Sequence, residues 1–128
     1  MTLKIIFDTS ILPLRQSTNN GAIKSVEEVA KREIEGFISV LTEAELYSGK
    51  ECNTDRGLSK VRDIISLFTT IPLTSQIAQQ AGFVRRKYGI EIPDAIIAAT
   101  ASVCDAKVWT KNVKDFEVIK EIRTEEPY

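Results

Sequence analysis

Short runs of consecutive apolar residues alternate along the chain with longer stretches in which apolar positions recur every three or four residues. The first pattern suits strands buried on both faces of a parallel sheet, the second amphipathic helices. LKIIF over 3–7, FISVL over 37–41, 69–73 and KVWT over 107–110 predict four strands, and 122–124 a shorter fifth. After the first run, Asp8-Thr9-Ser10 reads as a turn into a helix through Ile11 and Leu12, made irregular by Pro13. Residues 17–21 read as a loop.

Ile23, Val26, Val29 and Ala30 then mark a helix whose wet side carries Glu27, Glu28, Lys31 and Arg32. A short helix from about Thr42 stops near Gly49, and Leu58, Val61, Ile64, Ile65 and Phe68 form the next apolar stripe. Thr74 or Ser75 caps a helix closed by Gly89, and Pro93 opens another whose small residues Ala95, Ala98, Ala99 and Ala101 suit close packing on a sheet. Strands and helices in alternation predict a parallel α/β sheet covered by helices.

The 128 residues, 43% hydrophobic, predict one domain over 1–128 with a core that needs neither disulfide nor structural metal. No apolar stretch is long enough to span a bilayer and the first residues lack a signal peptide's apolar core, so a cytoplasmic protein without a membrane partner is expected. Cys52 and Cys104 have no metal-ligand spacing and read as reduced thiols, Cys104 buried on its helix. Histidine is absent, which excludes imidazole acid–base chemistry and His-ligated zinc. With 17 basic and 18 acidic residues, no whole-molecule attraction to nucleic acid is expected.

Any hydrolysis would therefore have to rest on carboxylates and metal. Four stand at the starts of apparent helices: Asp8 after LKIIF, Glu45 after FISVLTEA, Asp94 after IEIP and Asp115 after KVWTKNVK. In an open parallel sheet, acids at strand-to-helix junctions converge beyond the carboxyl ends of the strands. Crowded carboxylates repel, and a hard divalent cation is the usual remedy, which predicts a Mg²⁺ or Mn²⁺ site. Each acid also has a plainer reading. Thr42-x-x-Glu45 fits a capping box, Asp94 complements a helix dipole, Asn112 with Asp115 resembles a cap and its first-turn acid, and Asp8 can cap the helix after it. Capping does not explain why the acids come after several different runs.

The strings FDTSIL, ISVLTEAELYSG, IPDAIIAATA and VWTKNVKDFEVI resemble, in order, the four signature regions of PIN domains, closest to the VapC-type toxins of type II toxin–antitoxin pairs. The resemblance covers essentially the whole chain. It implies a three-layer α/β/α sandwich, a Mg²⁺- or Mn²⁺-dependent endoribonuclease, a homodimer and a small antitoxin partner. It assigns Asp8, Glu45, Asp94 and Asp115 as the catalytic, metal-binding acids, with Asn112 as a polar alternative in the fourth region and Glu43 on the exposed side. Thr9 and Thr110 are expected to orient a carboxylate or water. Lys111 stands where arginine is frequent and would meet a phosphate as a point charge, and Cys104-Asp105-Ala106 stands where a glycine often precedes the fourth strand.

The expected reaction is hydrolysis of an RNA phosphodiester by metal-activated water, leaving 5′-phosphate and 3′-hydroxyl ends. Glu45 either binds the cation or acts on the water. Lys114 and the run Arg85-Arg86-Lys87 are further candidate contacts, the run being equally a solvated helix end, and Tyr47 either stacks on a base or packs. Two other classes compete: a PIN-like fold that only binds RNA or a partner, and a phosphoacceptor signalling domain. The last needs paired acids after the first strand and an acceptor after the third, where this chain has IPLTS.

Overall fold

The structure, a computed structural model, describes residues 2–13 and 20–128. Five parallel strands form one sheet: β1 (Leu3–Phe7), β2 (Ile34–Ser39), β3 (Thr69–Ile71), β4 (Lys107–Trp109) and β5 (Thr124–Glu125), in the order β3-β2-β1-β4-β5. Six α-helices are described: α1 (Asn20–Ala30), α2 (Val40–Tyr47), α3 (Asp55–Ser66), α4 (Ser75–Tyr88), α5 (Ile92–Cys104) and α6 (Val113–Phe116).

Side chains alternate across the two faces of the sheet, and the register turns that alternation into two cores. Ile6, Phe37 and Val108 face one side, with Ile77, Ala81 and Val84 of α4, the alanines of α5 and Phe116 of α6. Ile5, Phe7, Ile38 and Trp109 face the other, with Val29 of α1, Leu46 of α2 and Val61, Ile64 and Ile65 of α3. This is the three-layer α/β/α sandwich the sequence leads one to expect. Phe7 anchors the second core edge-on to Phe68 at 4.8 Å and tilted against Trp109 at 5.3 Å. Gly36 lets that layer close, because a Cβ there would stand 2.8 Å from Val29 and 2.9 Å from the Phe68 ring.

Several boundaries differ from expectation. The helix through Ile11 and Leu12 is only a 3₁₀ turn over Thr9–Ile11, because Leu12 precedes Pro13 and is driven to extended backbone. Of the loop expected over 17–21, residues 17–19 lie outside the described residues, and Asn20 and Gly21 already belong to α1. β2 begins at Ile34 and ends at Ser39, so Val40 and Leu41 are helical. β3 stops at Ile71, before Pro72, β4 stops one residue before Thr110, and β5 lies at Thr124–Glu125. A 3₁₀ turn at Lys50–Asn53 has no counterpart in the periodic pattern. α4 is capped by Thr74 and closed by Gly89 at φ 72°, both as expected. Both cysteines are free thiols, but Cys104 is half-buried, since it is the last residue of α5. No helix among the described residues is long and apolar enough to cross a membrane.

Candidate active site

The strand order reverses between β1 and β4: the chain runs outward through β2 and β3 on one side, then returns to add β4 and β5 on the other. The crevice beyond the carboxyl ends of those two strands is the ligand-binding position of such sheets. Asp8 lies at the end of β1 and Thr110 at the end of β4, tied across the switch by a 2.7 Å bond from Thr110 Oγ1 to Asp8 Oδ2.

Asp8 is held by three donors. Thr9 N–H donates to Oδ1 at 2.9 Å, and the hydroxyls of Ser10, at 2.8 Å, and Thr110 converge on Oδ2. A carboxylate offers about four lone-pair sites, so one remains, on Oδ1. The scaffold is itself braced: Lys111 N–H donates to Ser10 Oγ at 3.0 Å, and Asn112 N–H to Thr110 Oγ1 at 2.9 Å. Thr110 is fully buried, which fixes its hydroxyl within this network. Thr9 reaches the other way and donates its hydroxyl to Glu45 Oε1 at 2.8 Å.

The capping-box reading of Glu45 fails on helix register. α2 is capped by Ser39, whose hydroxyl accepts from Leu41 N–H at 3.1 Å, so Thr42 already lies inside the first turn. Glu45 is exposed and accepts from Thr9, whereas Glu43, expected on the exposed side, is half-buried, because on the helix it lies between the directions of the buried Thr42 and Leu46. Asp94 does not come after a strand. It arrives through the turn from α4 and sits in the first turn of α5, two residues inside the start, after Pro93. Its carboxyl is pushed above the ordinary 3.8 first by burial, then by the negative charges of Asp8, Asp115, Glu45 and Glu91. Asp94 thus senses all three other acids singled out from the sequence. Asp115, exposed in the first turn of the four-residue α6, completes the set; Asn112 precedes that helix without a side-chain cap and contributes its backbone N–H.

Among the described residues, no three Asp, Glu or Cys side chains stand close enough to hold a metal ion as they are. The donor chemistry nonetheless fits a hard divalent cation: all candidates are oxygen donors, Asp8 keeps a lone pair, and Asp94 is under like-charge pressure that positive charge relieves.

Three expectations change. The Lys111 ammonium is turned to Tyr128 and Glu126, because a main-chain carbonyl, an aromatic face and a carboxylate there satisfy it together. Arg85 donates to the Ile90 carbonyl at 3.0 Å and Lys87 pairs with Glu121 at 3.2 Å, so two members of that basic run are engaged at the end of α4. Tyr47 is exposed. Sequence reasoning misses Ser10, although it stands in the same DTS string as Asp8 and Thr9, and it misses Tyr128, for which no local signal exists.

The fold is a parallel α/β sheet with Asp8 tied to Thr110 at its topological switch and with Asp94 under the negative charge of Asp8, Asp115 and Glu45. The PIN domain family matches residues 5–122, and the chain belongs to that family. It is similar to Ribonuclease VapC10 of Mycobacterium tuberculosis (strain ATCC 25618 / H37Rv), 34% identical over 91 residues. The match takes in 67% of this chain and 66% of that protein, just under two thirds of the relative's length. A chain of the toxin–antitoxin complex from Klebsiella pneumoniae superposes with a TM-score of 0.69 and 27% identity, over 97% of this chain and 98% of its own. DNA-bound VapBC from Salmonella typhimurium gives 0.80 at 24% identity over 99% and 100%, a likeness of fold.

Proposed function

We propose that this protein is a Mg²⁺- or Mn²⁺-dependent endoribonuclease and the toxin of a toxin–antitoxin pair, working in the cytoplasm as a homodimer. The observation that carries the reading is that Asp94 is held above the ordinary carboxyl range, first by its burial and then by the negative charges of Asp8, Asp115 and Glu45. Acids from four separate parts of the chain that oppose the ionisation of one of them favour a cation and work against stability without one. The likeness to a mycobacterial ribonuclease and to a toxin–antitoxin complex supports the same activity class and an antitoxin partner.

Asp8, Asp94 and Asp115 would hold the cation, which when bound supplies positive charge to the phosphoryl oxygens and acidifies water. The chain's own groups do the rest. The Thr9 hydroxyl fixes the Glu45 carboxylate, leaving it to accept a proton from the attacking water. Ser10 and Thr110 fix Asp8, so that its remaining lone pair keeps one direction. Attack by water leaves a 5′-phosphate and a 3′-hydroxyl.

Purified protein incubated with mixed RNA, with Mg²⁺, Mn²⁺ or chelator, tests this by end-group analysis, with Asp94→Asn as the control for contaminating nuclease. Metal-dependent fragments with 5′-phosphate ends are expected. Cyclic-phosphate ends, or cleavage undiminished by chelator, overturn the mechanism, and RNA binding without cleavage favours a catalytically silent PIN protein.

A further inference from the structure

Tyr128 touches three segments far apart in sequence. Its hydroxyl donates to the Ile11 carbonyl at 2.5 Å, at the end of the turn that carries Thr9 and Ser10. The Lys111 ammonium lies 3.9 Å from the centroid of its ring, donates to its main-chain carbonyl, and pairs with Glu126 at 3.6 Å. Against its side chain lies the first turn of α1, where Gly21 is required: a Cβ there would stand 2.5 Å from Tyr128 Cγ.

The two segments Tyr128 holds are the two that brace the acids. The turn after β1 supplies the Thr9 and Ser10 hydroxyls that orient Glu45 and Asp8, and the segment after β4 supplies Thr110. Across the switch one backbone bond, Asp8 N–H to the Trp109 carbonyl at 3.0 Å, joins the strand ends, and beyond it the segments meet through hydroxyls, Thr110 donating to Asp8 and Lys111 N–H to Ser10. Beyond that backbone bond, segments held by single hydroxyl contacts open locally unless something ties their far sides together. Tyr128 bonds the far end of the first through Ile11 and cradles the Lys111 side chain of the second.

We propose that Tyr128 is a positioning residue: it clamps the turn after β1 to the segment after β4 and so holds Asp8 and Glu45 in their working orientation. The inference rests on the ribonuclease reading for its catalytic consequence and on geometry alone for the clamp. Lys111 accordingly serves through its cradle and its backbone N–H, not as a contact to the substrate. Tyr128→Phe removes the bond to Ile11 and keeps the ring under Lys111; Tyr128→Leu removes both.

Two measurements decide it. In RNA cleavage, kcat falls about tenfold in Tyr128→Phe and further in Tyr128→Leu while KM stays within about twofold, because misoriented catalytic groups lose transition-state stabilisation and not substrate binding. In hydrogen exchange without RNA, the amides of Thr9 and Lys111, which donate to Asp8 and Ser10, exchange faster in both variants, whereas the β4 amide of Val108 does not. Unchanged kcat in both variants, a rise confined to KM, or equal acceleration of exchange throughout the chain overturns the proposal. Wild-type protein that leaves RNA intact counts against the ribonuclease reading, and the exchange measurement then still decides whether the clamp exists.

Discussion

Asp94 and Asp8 are both half-buried acids at helix starts, yet their surroundings differ. Asp8 is held by three hydrogen-bond donors; Asp94 has burial and four negative neighbours, which oppose its ionisation. Because the Asp94 pKa in the folded state is raised above its unfolded value near 3.8, the native state holds the proton more tightly. Its contribution to stability is therefore fully present below that value and is lost as pH rises through the folded pKa. In chelator, Asp94→Asn should remove this decline and leave the protein at least as stable as wild type at neutral pH. Urea midpoints from about pH 3 to 7 test it, and a variant less stable than wild type at pH 7 would show Asp94 to be a stabilising helix acid. A second residue carries strain of another kind. Asp105 ends α5 at φ 54°, in the left-handed region, shortly before the fourth strand. Asp105→Gly should raise stability by about 1 kcal/mol, read as an upward shift in Tm, since glycine adopts that conformation without a Cβ clash.

The elements read most reliably from the sequence are those with a physical signature at both ends. β1 is an apolar run because both its faces are covered, and α4 has its threonine cap and its left-handed glycine. The boundary between β2 and α2 is hidden in the sequence because FISVL is apolar except at the serine: Val40 and Leu41 continue the strand's chemistry after Ser39 has begun the helix. Hydrophobicity cannot separate a strand from a helix start when both are apolar. A cap can, and it predicts two substitutions of opposite sign. Ser39→Ala should destabilise by ~0.5–2 kcal/mol through loss of the bond to the Leu41 amide. Thr42→Val should be neutral or stabilising, because the fully buried Thr42 hydroxyl has no hydrogen-bond partner and valine has nearly its shape. Chemical denaturation of both variants checks the register, and destabilisation by Thr42→Val would reinstate the capping box. The site divides in the same way. The four acids are legible because each stands in its own recognisable string, whereas the hydroxyl scaffold joins residues 102 apart, and Tyr128 meets Ile11 across 117. Such contacts are created by strand order, which local pattern does not encode.

At the scale of the whole molecule, strand order brings Asp8 beside the segment after β4, and Asp94 feels the charges of Asp8, Asp115 and Glu45, while the net charge stays at −1. With no histidine and no overall positive charge, whatever attracts a polyanion to this edge must be local. A cation bound only by the folded state would supply that attraction and couple it to stability. At a concentration one hundred times its Kd, such a ligand stabilises by about 2.7 kcal/mol, enough to read in a thermal melt. Mn²⁺ should therefore raise the Tm of the wild type, and chelator should reverse the rise. Asp8→Asn and Asp94→Asn should nearly abolish that shift, Asp115→Asn should reduce it, and Glu43→Gln, outside the four acids that converge at Asp94, should leave it intact. Asp8→Asn also disturbs three hydrogen bonds, so its own Tm in chelator is the baseline from which its metal response must be measured. An equal Mn²⁺ shift in all four variants would mean that the ion binds elsewhere, and the acids at the switch between β1 and β4 would then lose their claim to be a metal centre.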